Sequence, residues 1–138
     1  MSIYKLLSTY VFHNNGIQKI NFEEVQHAIQ NKKGVYIINT LNPNEQSCLI
    51  MNTISIFDEE NIINGLLDNN EINVNIIVYG KNSTDHNAEK KYRQLVQLGF
   101  KNVKLYSGGL FEWLLLQDIY DEQNFPTTKK ILDFLYYK

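Results

Sequence analysis

The sequence predicts one parallel α/β domain over residues 1–138, and three observations predict it. Strand-like and helix-like patterns alternate along the chain, the arrangement from which a parallel sheet with helical crossovers is built. Two strand runs, residues 35–38 and 74–79, are strongly apolar, the second interrupted at Asn75 alone, instead of alternating, as strands covered on both faces are. The second run passes straight into a polar loop and then a helix, so the unpaired N–H groups of that helix's first turn face the loop.

The elements follow in order. Leu6, Leu7, Tyr10 and Val11 fall at helical spacing ahead of Asn14, Asn15 and Gly16, and predict a short helix lying on the domain. Residues 17–20 read as an edge strand. Asn21, with Glu24 three positions on, is a capping-box pair in which each side chain satisfies a free backbone N–H; Phe22, Val25, Ala28 and Ile29 then line one helical face. That helix ends at residues 31–34, and the apolar strand 35–38 is expected to be central. Residues 40–47, with Pro43, form a polar loop. Residues 48–56 carry alternating apolar positions toward a second short strand at 53–56.

Asp58 is expected to cap the next helix, with Glu59 and Glu60 where the helix dipole favours negative charge. Ile62, Ile63, Leu66 and Leu67 face its core side. After the strand 74–79, a helix presents Ala88, Tyr92, Leu95 and Val96. Gly99 suits the left-handed position that stops a helix, a strand covers 103–106, and Gly108 with Gly109 lets backbone pass close to a neighbour before a helix over 110–118. Pro126 then breaks the chain and Thr127 or Thr128 caps a last helix through Tyr137. Its stripe of Ile131, Leu132 and Leu135 is too short to stand alone in water, and is expected to pack on its own domain or on a second copy; the aromatic tail with Phe134, Tyr136 and Tyr137 reads equally as docked on the domain or as an exposed patch for a partner.

A chain of 138 residues buries roughly 68 to 70% of its unfolded surface, enough for one core. Its 43% hydrophobic and 20% charged content is that of an ordinary globular protein. A net charge of -2 and a pI near 5.9 provide no basic field for nucleic acid or an anionic membrane. No apolar run approaches the ~18 residues of a membrane span, and the first residues lack a signal-peptide core. The expectation is an intracellular, cytoplasmic protein. The single cysteine, Cys48, excludes an internal disulfide and a Cys-rich zinc framework. Asp85, His86, His13 and His27 have no metal-ligand spacing, and neither a metal nor a cofactor is expected.

The stretch 98–113 carries a more specific signal. Gly99-Phe100, then Asn102-Val103, then Gly108-Gly109 followed by Trp113 resembles the closing third of rhodanese-like domains, a sulfurtransferase family with phosphatase relatives. The resemblance extends over about residues 17–118, leaving a lead of 1–16 and an extension of 119–138, which the last helix makes helical. It implies a mainly parallel five-stranded sheet flanked by helices, and it implies structural roles for Gly99, Gly108, Gly109 and Trp113, the last as core packing. Val35 to Asn39 resembles the strand that ends in a D-x-R pattern, with Asn39 at the acid and Leu41 at the basic position. Residues 49–56 resemble the segment H-I-P-G-A-x-N-I without its His, Pro or Gly. Residues 76–79 resemble the strand before the catalytic loop.

In the family the residue after that strand is a cysteine, in C-x-x-G-x-R-S/T, whose thiolate accepts sulfur and is stabilised by loop N–H groups and the helix dipole. Counting forward from Tyr79 puts Gly80 there; counting back from Gly99 puts Asn82 there. Neither carries a thiol, and the loop contains no arginine. A carbon-bound hydrogen or a carboxamide cannot attack sulfur or phosphorus, so no catalytic residue is assigned. The loop Gly80, Lys81, Asn82, Ser83, Thr84, Asp85 and His86 keeps backbone donors, hydroxyls and one ammonium, a degenerate site for an anion or small polar ligand. The competing reading, that Ser83, Thr84 and Asp85 simply cap the helix and Asp85 repels anions, is the stronger. If Gly80 sits in an intact cradle, Gly80→Cys is expected to give a thiol of lowered pKa.

Cys48, between a polar loop and an apolar run, reads first as a small buried hydrophobe. The resulting expectation is a non-catalytic rhodanese-like module for binding or regulation, whose partner is a protein not identified by the sequence or a second copy in a homodimer. The alternative is a sulfurtransferase or sulfur carrier using Cys48 or a ligand bound at the Gly80 loop.

Overall fold

The apolar runs pair side by side. In the computed structural model, which describes residues 16–31 and 33–138, strand β3 (Asn75–Tyr79) lies between β2 (Val35–Asn39) and β4 (Asn102–Tyr106), and β1 (Lys19–Ile20) adds to the far side of β4. All pairings are parallel, with Tyr79 opposite Asn39 on one side and Tyr106 on the other. Because successive side chains leave opposite faces of a strand, Ile37, Ile77, Tyr79 and Tyr106 enter one core, and Ile38, Ile76, Val78, Val103 and Leu105 enter another.

Helices cover both faces. Helix α1 (Phe22–Gln30) and helix α4 (Gly109–Ile119) supply Val25, Ala28, Leu110, Trp113 and Leu114 to the first core; helix α2 (Ile56–Asp68) and helix α3 (His86–Gln97) supply Ile63, Leu66, Ala88, Tyr92 and Leu95 to the second. Trp113 is fully buried, with its ring against Tyr106 and Phe125. The Asn21 N–H donates to the Glu24 carboxylate at 2.9 Å, one arm of the expected capping box. Gly99 stops α3 at φ +110°, and the Phe100 N–H donates back to the Leu95 carbonyl. None of the helices among the described residues is long and apolar enough to cross a membrane. The helix expected from Leu6, Leu7, Tyr10 and Val11 falls outside the described residues.

Five expectations need correction. Among the described residues the sheet has four strands, not five, and β2 is an edge strand instead of a central one. The expected strand at 53–56 shrinks to a single parallel bridge, Thr53 to Ile37, with the Ile54 N–H donating to the Ile37 carbonyl at 2.8 Å. The chain has room for no more there: Asn52 turns it with φ +68° and Ser55 already starts α2. The apolar run of β2 reflects helices on its two faces, which says nothing about its edges. Ser55, not Asp58, is the cap of α2, its hydroxyl accepting from the Phe57 N–H at 3.3 Å; Asp58 belongs to the first turn.

The fifth correction is the C-terminal extension, where the expected long helix is replaced by an irregular run ending in a short 3-10 helix, Phe134–Tyr137. The capping groups of Pro126 and the threonines are spent sideways. Met51 donates to the Pro126 carbonyl at 3.0 Å, and the Thr128 N–H donates to Leu49 at 2.8 Å while its hydroxyl accepts from the Leu49 N–H at 3.0 Å. The segment does pack on its own domain, but through Phe125 and Tyr137, both buried. Of the expected stripe, Leu132 is 87% and Leu135 55% exposed.

Candidate functional site

The loop joining β3 to α3 is gripped from behind by α4. The Leu110 and Phe111 N–H groups, unpaired because they open that helix, donate to the carbonyls of Gly80 and Lys81 at 2.9 Å each. Gly109 makes this approach feasible. Its φ is +71°, and a β-carbon there would stand 2.8 Å from the Gly80 carbonyl oxygen and 3.0 Å from the Asn82 nitrogen. Gly108 is helical in conformation, so of the glycine pair it is the second that the backbone geometry demands.

Inside the loop, Asp85 caps α3 through one carboxylate oxygen, which accepts from the Asn87 N–H at 2.9 Å, and turns the other inward to accept from the Lys81 N–H at 3.0 Å. That inner oxygen lies where a side chain on Gly80 would begin, 2.5 Å from its β-carbon position. Counted from Gly80 along C-x-x-G-x-R-S/T, Asp85 occupies the arginine position. Asn82 closes the loop on itself: its side-chain oxygen accepts from the N–H and hydroxyl of Thr84, at 3.0 and 2.8 Å. Ser83 and His86 are exposed.

Lys81 points away from the loop centre. Its ammonium pairs with Glu45 at 2.7 Å and sits 4.6 Å from the centre of the Tyr136 ring. Glu45, on the 3-10 turn Pro43–Glu45, is 6% exposed. The hydrogen bond from Lys81 holds its carboxyl below the usual range, against the burial that pushes it up. Together with Thr40, Leu41 and Asn42, these groups line an open cavity of about 260 Å³. Its charged side chains are Glu45, Lys81 and Asp85, so it offers an anion no net attraction.

The remaining sequence candidates are bonded or buried elsewhere in the domain. Asn39 is buried, and its side-chain oxygen accepts from Leu41 N–H and Gln46 Nε2, at 3.1 and 2.8 Å, so the residue at the acid position shapes the turn. Leu41, at the basic position, is in the core. Cys48 is fully buried, its thiol donating to the Lys129 carbonyl at 3.2 Å, and burial pushes its pKa up. Among the described residues no three His, Cys, Asp or Glu side chains gather as a metal site.

Glu45 was not singled out by sequence reasoning, whereas Tyr136 and Tyr137 stood out only as members of an aromatic tail, with no link to the loop. Glu45 had a readable signal, being the sole acid of the loop that precedes Cys48, within reach of a lysine in need of a counterion. The contact of the two tyrosines with the loop had none, because they reach it through a chain path that is not helical.

A family model of the rhodanese-like domain matches residues 21–116. The chain belongs to the rhodanese-like domain family. Solved structures share the fold at low identity. The BH2092 protein of Bacillus halodurans superposes with a TM-score of 0.61 at 20% identity, over 84% of this chain and 83% of that one. The rhodanese-like domain of the Anabaena Alr3790 protein gives 0.58 at 19%, over 83% and 81%. A thiosulfate sulfurtransferase from Pseudomonas aeruginosa gives 0.58 at 18%, over 78% of this chain and 20% of that chain. No curated protein sequence matches the chain.

Proposed function

We propose that this rhodanese-like domain transfers no sulfur and serves as a protein-binding or regulatory module. The supporting observation is the place of the Asp85 carboxylate. It accepts the Lys81 N–H and fills the position of a Gly80 side chain, so the loop's donor is spent on a fixed internal anion instead of a thiolate or a transferred group. Cys48 offers no substitute nucleophile: thiol chemistry needs an accessible thiolate, and this thiol is buried with a raised pKa.

Thiosulfate-to-cyanide sulfur transfer by the purified chain tests the reading. No turnover above the uncatalysed rate is expected. Turnover that disappears in Cys48→Ser would replace the proposal with a sulfur-carrier role for that cysteine.

A further inference from the structure

The C-terminal segment is held in two different ways. Across 125–129 its backbone is laced to the domain: Gln117 donates to the Phe125 carbonyl at 2.8 Å, Trp113 Nε1 and Met51 N–H donate to that of Pro126, and Thr128 bonds Leu49. From Ile131 onward, side chains do the holding. Leu132, Leu135 and Tyr136 are exposed, and the one side chain of the last turn that is buried is Tyr137. This final turn lies on the degenerate loop. Asn82 Nδ2 donates to the Tyr137 carbonyl at 3.0 Å, Lys81 lies over the Tyr136 ring, and the Phe134 ring is 6.4 Å from that of Phe111.

We propose that Phe134–Tyr137 is a peptide ligand bound in cis, and that when it lifts, the surface of Lys81, Asn82 and Phe111 docks an aromatic segment of a partner polypeptide. The inference deepens the binding-module reading and rests on it. The occupant now seated displays the chemistry the surface takes. An amide donor meets a main-chain carbonyl, an ammonium meets the face of a ring, and a buried slot takes a second ring. None of these contacts depends on anything but an aromatic pair on extended or turning backbone, which another chain can supply. Because Glu45 neutralises Lys81, ring and carbonyl recognition outweighs charge. A tethered segment competes at an effective concentration of about millimolar, so the cis contact sets a threshold that a partner must exceed, and an opening of the last turn regulates access.

The test uses the full-length chain carrying Tyr137→Ala, titrated with a fluorescent peptide of residues 130–138, KILDFLYYK, against a scrambled peptide of the same composition. Saturable binding at least about tenfold tighter than to the native chain is expected, weakened when Lys81→Ala and Asn82→Ala are added. Equal binding to native and Tyr137→Ala chains, or equal binding of the scrambled peptide, would overturn the proposal. Should Tyr137→Ala fail to fold, hydrogen exchange in the native chain decides. The Tyr136 and Lys138 amides, bonded within the last turn to Asp133 and Leu135, are expected to exchange at least about a hundredfold faster than those of Met51 and Thr128; equal rates would mean that the turn opens only with the whole fold. Failure of docking without sulfur transfer removes this surface alone, whereas thiosulfate turnover removes the module reading beneath it.

Discussion

The inner carboxylate oxygen of Asp85 stands 2.5 Å from the point a β-carbon on Gly80 would occupy. A cysteine installed at Gly80 therefore meets a negative charge before it meets an N–H donor, which reverses the lowered thiol pKa expected from an intact cradle. Gly80→Cys is expected to be destabilised and to titrate above the free-cysteine value of about 8.5. Adding Asp85→Ser keeps a helix cap and removes the charge, so the double variant is expected below that value. Ultraviolet absorbance of the thiolate against pH reads both.

Cys48 is fully buried and its thiol is bonded to the Lys129 carbonyl. A thiol-specific chromogenic reagent is expected to label it in the native chain at least about a hundredfold more slowly than in denaturant, since access requires local opening. Rapid native labelling would show a path to the thiol that this packing does not provide.

The Glu45–Lys81 pair gives stability a defined pH dependence. Glu45 has its folded pKa depressed below the ordinary 4.5, so its contribution is fully present above that value and is lost as pH falls through the lower folded value. Lys81 is raised above 10.5, chiefly by its hydrogen bond to Glu45, so its contribution is present below 10.5 and is lost as pH rises through the higher folded value. The gap in denaturation midpoint between the native chain and Glu45→Gln is therefore expected to hold steady from pH 7 to about 5 and to close toward pH 3. A gap that widened toward acid would contradict this sign.

Phe125 and Leu132 lie in one segment with opposite fates. Phe125 packs its ring against Phe22, Trp113 and Tyr120, at 5.4, 5.1 and 6.1 Å. Phe125→Ala is expected to cost about 3 to 5 kcal/mol, and Leu132→Ala to stay within about 0.5 kcal/mol of the native chain. Urea unfolding measures both, and comparable losses would restore the buried apolar stripe that the spacing of Ile131, Leu132 and Leu135 first implied.

What was legible in the sequence was whatever depends on neighbouring residues. Apolar continuity in β3, the Asn21–Glu24 pair, the helical face of α3 and the glycine stop at Gly99 all show in a few consecutive positions. The 98–113 motif added the fold. Strand order was illegible at β2, because an apolar run reports covered faces and not paired edges. The C-terminal stripe misled because Thr127 and Thr128 can cap a helix or bond sideways, and the choice is made by Leu49 and Met51, almost eighty residues earlier in the numbering. The inward turn of Asp85 was half legible: its capping role follows from position, whereas the second oxygen's place depends on Gly80 having no side chain.

The single bridge at Thr53 matters for how separate molecules of this protein treat one another. An apolar outer strand with free N–H and C=O groups is a template on which another chain can grow, the starting point of edge-to-edge aggregation. Here the middle of β2 is already taken by the Ile54 N–H. The stopper is pinned from beneath, because the Thr53 hydroxyl bonds the buried Tyr79 hydroxyl at 2.8 Å, and that same hydroxyl accepts the Ile50 N–H at 3.1 Å. Tyr79 thus anchors, from inside the core, the short bridge that occupies the outer edge of β2.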